Sequence, residues 1–200
     1  MAHWLMKTEP DTFGIADLAQ RGTEPWTGVR NYMARNIMRQ MVVGDDVLFY
    51  HSSCEPPGVA GLARVSKTAV IDETQFDPAS KYFEPRATRV APVWDCVEVA
   101  YVETLPRLVA IGELRADPPL ADMMLLRRGM RLSVQPVTAA EYARIVELAR
   151  QPAPVAPPVK RKPVTRKRKP VTRKPVKRKP VKRKPVTPKP KHRAKRRVSR

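Results

Sequence analysis

The last fifty residues of this 200-residue chain contain no acidic residue, no aromatic residue and no glycine, yet they hold 22 of its 39 Lys and Arg residues. Residues 1–150 therefore contain 17 basic and 19 acidic residues, a net charge near −2, although the whole chain carries +20. A segment with so little apolar surface cannot offset the entropy that folding would cost. We therefore predict that residues 151–200 form a disordered basic tail.

Other absences exclude several classes of protein. No stretch is apolar over the length of a membrane span, and the N-terminus lacks the layout of a secretory signal. Cys54 and Cys96 have no partners at metal-ligand spacing, and phosphate-binding glycine loops and nucleophile elbows are absent. We expect a monomer without cofactor, metal or membrane partner, with two free thiols; a disulfide between them is the alternative. The expected location is the cytoplasm, with nucleoid association in a bacterium or a nuclear location in a eukaryote.

The basic tail repeats the tripeptide Lys-Pro-Val, at residues 162–164, 169–171, 174–176, 179–181 and 184–186. Each proline fixes φ and interrupts helical hydrogen bonding, so polyproline II or irregular structure is expected. The positive charges can neutralise the phosphates of DNA or RNA, but such a segment cannot read base edges at fixed positions. We predict binding to nucleic acid without sequence preference. The alternative is a solvated tail that has no partner.

Residues 1–150 hold all twelve aromatic residues and are long enough for one domain with a buried core. Apolar patterning predicts strands at 3–7, 47–51, 58–71 with a break at Gly61, 94–102 and 131–135. It predicts helices at 15–19, 31–41, 111–116, 120–127 and 139–150. Asp11 or Thr12 is expected to cap the first helix, and Thr138 with Glu141 forms a capping box for the last. Strands separated by short helices indicate a barrel-like α+β domain.

Some of these residues are assigned to the core. The helix at 31–41 has one apolar face, which we expect to be buried. This face consists of Met33, Ala34, Ile37, Met38 and Met41. Phe49 and Trp94 alternate into strands and are assigned to the core as well.

The segment from Trp26 to Asn36 is a candidate for binding a nucleotide. Gly28 allows close approach to a ligand, and the helix that follows begins with free backbone amides. Arg30 and Arg35 are predicted to contact phosphate, and Asn31 offers an amide that can read a base edge. A capped amphipathic helix with solvated arginines is the alternative interpretation.

Aromatic residues near polar strand ends favour the binding of a base. Trp4, Trp26, Tyr32 and Tyr50 each neighbour a loop or a strand end that carries polar side chains. Their polar neighbours include Lys7, Arg30, Asn31, His51 and Ser52. An extruded or single-stranded base is commonly held by stacking on a ring and hydrogen bonding along its edge.

His51 is the one candidate for catalysis. It precedes Ser52, Ser53 and Cys54, so a base beside a nucleophile is conceivable. No acid that would orient His51 is near it in sequence, and we favour hydrogen bonding at the rim of a pocket. We therefore assign no catalytic residue, and keep a nuclease or a modified-base hydrolase using His51 as the alternative function.

Five motifs, in this order, resemble the EVE domain family. They are Trp4–Pro10, Trp26–Tyr32, Phe49–Ser52, Gly58–Gly61 and Arg127–Val137. The resemblance covers residues 2–149 and implies a PUA-like fold, a mixed β pseudo-barrel flanked by short helices and akin to YTH and ASCH domains. It also implies that this domain, residues 1–150 in our division of the chain, reads a modified base in DNA or RNA.

The resemblance, together with the residue chemistry, gives a predicted site. The predicted base-binding residues are Trp26, Gly28, Val29, Arg30, Asn31, Tyr32, Tyr50, His51 and Ser52. The predicted phosphate-binding residues are Lys7, Arg30 and Arg35. The domain is expected to select the base, while the basic tail adds affinity for the phosphate backbone. A third interpretation makes the domain an incidental passenger on a DNA-compacting tail.

Overall fold

The computed structural model describes residues 1–152, so the predicted disorder of the basic tail falls outside the described residues, apart from its first two positions. The described chain forms six strands and four α-helices, with three short 3₁₀ turns. The strands are β1 (His3–Thr8), β2 (Thr23–Pro25), β3 (Asp46–His51), β4 (Gly58–Ile71), β5 (Asp95–Ala110) and β6 (Val134–Val137). The helices are α1 (Ile15–Arg21), α2 (Tyr32–Met38), α3 (Ile111–Ala116) and α4 (Ala139–Arg150). The predicted α+β class is confirmed.

All six strands belong to one mixed sheet, in the order β2-β5-β4-β3-β1-β6. β1 and β3 are parallel, whereas the other neighbouring strands are antiparallel. The long pair β4–β5 changes register at four places, and such bulges bend and twist a sheet. The parallel pair ends with Thr8 opposite His51, which brings the carboxyl ends of β1 and β3 to one edge of the domain.

Both faces of the central strands are buried. On β1, Trp4 and Met6 face one apolar cluster together with α1 and α2, and Leu5 faces a second cluster together with α3 and α4. β3 alternates in the same way, with Phe49 in the first cluster and Tyr50 in the second. The sheet is therefore the middle layer between two helical layers.

The helix ends show which local signals the sequence carries. Thr138 Oγ1 accepts from the Glu141 backbone and the Glu141 carboxylate accepts from the Thr138 backbone, which confirms the predicted capping box of α4. The predicted cap of α1 by Asp11 or Thr12 is wrong. α1 starts after Gly14, whose N–H donates to the carboxylate of Asp17 at 2.7 Å.

Several predicted boundaries, and the predicted burial of one core residue, differ from the structure. β4 is continuous through Gly61, β5 runs on to Ala110, and β6 starts three residues later than predicted. Residues 120–127 form no α-helix, because this stretch contains only the end of one 3₁₀ turn and a second at Met124–Leu126. Met33 is 61% exposed rather than buried, since α2 turns it away from the sheet, whereas Phe49 and Trp94 are buried as predicted.

Candidate nucleic-acid site

A large cavity opens beside the ends of the parallel strands. Its volume is about 650 Å³, within the range of about 300–1,000 Å³ that is typical of ligand pockets. β1 and its following loop, α1, the Pro25–Arg30 segment, the end of β3 and two further loops contribute to its wall. The lining residues are Lys7, Thr8, Glu9, Thr12, Phe13, Arg21, Glu24, Pro25, Trp26, Thr27, Gly28, Val29, Arg30, Ser52, Lys81, Tyr82, Arg131 and Ser133.

A buried carboxylate anchors the Trp26–Arg30 part of the cavity wall through hydrogen bonds. Asp72, which is 1% exposed, accepts a hydrogen bond from the backbone N–H of Gly28 at 2.8 Å and one from Arg30 Nη1 at 2.7 Å. Burial alone would raise the pKa of Asp72, but the hydrogen bonds from Arg30, Thr74 and Gly28 outweigh it and lower the pKa. Asp72 is therefore ionised at neutral pH and fixes the course of this segment.

Every N–H donor of the Arg30 guanidinium group forms a hydrogen bond within the protein. Its five N–H groups are matched by five hydrogen bonds, to the carbonyl oxygens of Val29 and Tyr82, to Asp72 and to Thr74, with Tyr82 accepting twice. This geometry leaves Arg30 no donor for the predicted phosphate contact. Arg30 instead fastens the loop that carries Tyr82 to the segment that carries Gly28.

Gly28 is required where it stands. Its φ is +82°, and a Cβ at this position would lie 2.8 Å from Cε2 and Cζ of Tyr82. The ring of Tyr82 therefore lies directly against the Gly28 backbone. Both residues line the cavity, so this contact shapes its mouth.

Three aromatic side chains share the cavity wall. Phe13, Trp26 and Tyr82 all line it, and Phe13 and Trp26 meet edge to face with their ring centroids 6.5 Å apart. Trp26 also packs edge to face on Phe49, at 5.4 Å, and is only 7% exposed. Its indole N–H makes no hydrogen bond to any residue in the described part of the chain, so this donor is available to a ligand.

Lys7 and Ser52 line the cavity at the ends of β1 and β3. Ser52 Oγ donates to the Thr8 carbonyl oxygen at 3.0 Å, which ties the ends of β1 and β3 together. Lys7 Nζ lies 5.9 Å from the centre of the Tyr50 ring, and burial lowers the pKa of Lys7. The predicted residues at the cavity are thus Lys7, Trp26, Gly28, Val29, Arg30 and Ser52.

The structure does not bring Asn31, Tyr32 or Arg35 to the cavity lining. Asn31 Oδ1 accepts from the backbone N–H groups of Met33 and Ala34, so this side chain caps α2. Tyr32 stacks on Trp94 at 4.7 Å, outside the cavity. Arg35 covers the Tyr32 ring and donates to the Val93 carbonyl oxygen at 2.6 Å.

Tyr50 and His51 are also engaged elsewhere. Tyr50 is buried in the second apolar cluster, and burial raises its pKa to about 12. His51 Nε2 accepts a hydrogen bond from the Ile15 backbone N–H at 3.1 Å, and burial lowers the pKa of His51. The nitrogen that would act as a base is therefore occupied at the start of α1.

Residues 1–152 contain neither a metal-ligand cluster nor a disulfide. No group of three or more His, Cys, Asp or Glu side chains within residues 1–152 is placed to hold a metal ion. Cys54 and Cys96 are free thiols, as predicted, and burial raises the pKa of Cys96 to about 12. No helix in the same range is long and apolar enough to cross a membrane.

Comparison with known families identifies the domain. The EVE domain matches residues 2–148 of the chain. The chain belongs to the EVE domain family. The resemblance inferred from its motifs is therefore confirmed, and the described strands and helices all fall within the match apart from the end of α4.

Curated relatives of this EVE domain include vertebrate proteins. Thymocyte nuclear protein 1 of Danio rerio is 40% identical over 169 residues, which cover 75% of this chain and 73% of the relative. The Homo sapiens protein of the same name is 39% identical over 166 residues, which cover 74% of this chain and 73% of the relative.

Solved structures share the EVE architecture. A Pseudomonas putida protein is 48% identical with a TM-score of 0.71, and the match covers 74% of this chain and 99% of that one. The crystal structure of the human THYN1 protein, in complex with DNA that contains 5-methylcytosine, is 36% identical with a TM-score of 0.71. That match covers 76% of this chain and 99% of the human one.

Sequence reasoning missed several residues that line or support the cavity of this EVE domain. They are Phe13, Asp72, Lys81, Tyr82 and Arg131. Tyr82 lies in a loop with many prolines between strands, and its aromatic ring among polar neighbours was the available signal. Asp72 had no comparable signal, since Gly28 and Arg30, which it holds in place, lie more than forty residues away.

Proposed function

We propose that this EVE-domain protein binds DNA that carries a modified cytosine, and that the cavity beside Trp26 holds the modified base after it leaves the stack. The observation that carries this proposal is the cavity itself, in which three aromatic rings meet a segment of backbone fixed by Asp72 and Arg30. The human THYN1 structure with 5-methylcytosine DNA supports DNA as the partner and cytosine as the base.

The rings supply most of the binding energy in this proposal. Stacking of a base on an aromatic side chain contributes about 1–3 kcal/mol. Trp26 and Phe13 form an apolar floor, and the methyl group of a modified cytosine gains by leaving water against such a floor. Tyr82 closes the cavity from the opposite loop, where Arg30 and Lys81 lie 5.3 and 4.9 Å from its ring centre.

Polar groups at the rim give the base its orientation. The free indole N–H of Trp26 is a donor for a base carbonyl, and the hydroxyl oxygen of Ser52 remains free to accept from an exocyclic amine. Lys7 carries a positive charge without an ion-pair partner in residues 1–152 and would contact the phosphate of the extruded nucleotide. We assign binding without turnover, because the Nε2 atom of His51 already accepts a hydrogen bond.

The basic tail would add affinity that does not depend on the base. Its 22 Lys and Arg residues neutralise phosphates along the polymer and keep the selective cavity near its target. The protein would therefore be found where its nucleic acid is, in the nucleoid of a bacterium or the nucleus of a eukaryote. RNA with a modified cytosine is the second nucleic acid to be compared, since an extruded base presents the same ring in both polymers.

The decisive experiment compares two tryptophans that are equally buried. Full-length protein is titrated against two duplexes that differ by one 5-methylcytosine, using wild type, Trp26→Phe and Trp4→Phe. Trp4 is 6% exposed, and its indole N–H donates to Asp45 at 2.9 Å away from the cavity, so it controls for damage to the core. We expect Trp26→Phe to reduce the methylation preference by roughly fivefold, part of the stacking energy of one base. A preference that survives in Trp26→Phe would place the base elsewhere.

A further inference from the structure

Most basic side chains of residues 1–152 have a hydrogen-bond or ion-pair partner within the protein, but some have none. These residues contain 14 Arg and 3 Lys. Eleven of the 17 donate to a protein acceptor or form an ion pair. They are Arg21, Arg30, Arg35, Arg39, Arg64, Lys67, Arg86, Arg89, Arg107, Arg144 and Arg150.

Six basic residues have no hydrogen-bond or ion-pair partner within the described range, and three of them line the cavity. Lys7, Lys81 and Arg131 line the cavity, and Arg127 and Arg128 lie in the loop that leads to Arg131. The sixth, Arg115, lies on α3 beside Leu114 of the second cluster and does not line the cavity. A domain with a net charge near −2 thus places three of its six unpaired basic residues at one opening, and two more lie in the loop that leads to the third of these, Arg131.

The loop at 127–131, which we name the arginine loop, contains a tight turn and is joined to β1 shortly after its last residue. Met130 N–H donates to the Arg127 carbonyl oxygen at 3.1 Å and closes a tight turn. Beyond the loop, the Lys7 backbone N–H donates to the Ser133 carbonyl oxygen at 2.8 Å, which joins the loop to the end of β1 at the cavity. The three arginines are exposed, so their guanidinium groups are accessible to solvent.

We propose that the arginine loop grips the phosphate backbone of the duplex beside the extruded base, with Arg127 and Arg128 each contacting a phosphate. A guanidinium group presents two parallel N–H donors that match phosphate oxygens. An arginine without an internal acceptor keeps all of these donors for such a contact, whereas Arg30 has none left. Phosphate contacts fix the register of a protein on DNA without reading sequence, so the loop positions the duplex and the cavity selects the base.

This inference rests on the proposed binding of DNA, and its test separates the two. Full-length wild type, Arg127→Gln, Arg128→Gln and Arg115→Gln are titrated against an unmodified duplex and its singly 5-methylcytosine-containing twin over a range of salt. Each variant removes one unpaired exposed arginine, so Arg115→Gln is the matched control for net charge. Thermal unfolding confirms that the variants remain folded.

We expect Arg127→Gln and Arg128→Gln each to weaken both duplexes by about threefold to tenfold and to reduce the slope of log affinity against log salt by about 0.9. Arg115→Gln should leave the slope unchanged. Loop variants that behave like Arg115→Gln would overturn the proposal, and so would variants that alter only the methylation preference. If wild type shows no methylation preference, the cavity assignment fails, while the slopes still decide whether the loop contacts phosphate.

Discussion

The carboxylate of Asp72 lies 2.7 Å from the guanidinium group of Arg30 and accepts the backbone N–H of Gly28 with the same oxygen, at 2.8 Å. One buried oxygen thus holds both ends of the short segment Gly28–Arg30. The segment includes three cavity-lining residues and directly follows Trp26 and Thr27, so its position sets the shape of the wall. Asp72 acts on the ligand only through this segment and is a positioning residue.

The first prediction concerns this carboxylate. Asp72→Asn removes a charge that faces Arg30, and a hydrogen bond to a charged group is worth about 1.5–3 kcal/mol. We expect the free energy of unfolding to fall by about 2 kcal/mol and the methylation preference to fall with it, because the Gly28–Arg30 segment loses its anchor. Denaturant unfolding and duplex titration measure the two effects.

Asp117→Asn is the control for this prediction. Asp117 is 8% exposed and pairs with Arg144 at 2.7 Å, near the second apolar cluster and away from the cavity. This variant should lose stability but keep the preference of wild type. If Asp72→Asn and Asp117→Asn keep the same methylation preference, Asp72 contributes to stability but not to the selection of the base.

The second prediction compares two glycines that have similar positive φ angles. Gly22 and Gly28 have φ of +78° and +82°, so alanine at either position costs about 1–2 kcal/mol. A Cβ meets nothing within 4 Å at Gly22, but at Gly28 it meets the Tyr82 ring at 2.8 Å. We expect both variants to be destabilised and only Gly28→Ala to lose affinity for the methylated duplex. If Gly22→Ala and Gly28→Ala bind the methylated duplex with equal affinity, the contact between residue 28 and the Tyr82 ring does not contribute to binding.

Local signals in the sequence predicted much of the fold. The capping box of α4 and the alternation of β1 and β3 depend on residues a few positions apart, and both are present in the structure. The alternation did not show that both faces of these strands are buried, because that depends on helices from distant parts of the chain. The early end predicted for β5 has a similar cause, since bulges against β4 carry the strand past Pro106.

The cavity could be predicted only in part for a related reason. Trp26, Gly28 and Val29 are neighbours in sequence and stay neighbours in space. Tyr82 reaches the same wall through hydrogen bonds to Arg30 that span 52 positions. For Asn31 the residue type alone could not decide the role, because a side chain suited to reading a base edge is also suited to capping a helix, and its Oδ1 caps α2 here.

The third prediction concerns pH and His51. Burial lowers the pKa of His51 below the value of about 6.5 that it has when unfolded. The unfolded chain therefore binds this proton first, and stability present above pH 6.5 is lost as the pH falls through the folded pKa. We expect wild type to lose more stability than His51→Gln between pH 7.5 and 5, because glutamine accepts from Ile15 without titrating. Carboxylates are common to both proteins and cancel in the comparison.

The same variant bears on catalysis. A nuclease or hydrolase that uses His51 would convert modified oligonucleotides to products and lose that activity in His51→Gln. We expect binding without product in both proteins. Product formation that His51→Gln abolishes would replace the binding function with an enzymatic one.

The last prediction divides the chain between its selective domain and its basic tail. α4 ends at Arg150, and the Gln151 carbonyl oxygen accepts from Arg107 Nε at 2.8 Å, so a chain that ends after Pro152 keeps the hydrogen bonds and packing of the domain. This truncation removes 22 Lys and Arg residues, and the salt slope falls by about 0.9 for each phosphate that the protein no longer neutralises. We expect much weaker binding to all duplexes, a flatter salt dependence and an unchanged ratio of methylated to unmethylated affinity. An unchanged slope would deny the tail a role in binding, whereas a truncated protein without methylation preference would make the domain a passenger on a DNA-compacting tail.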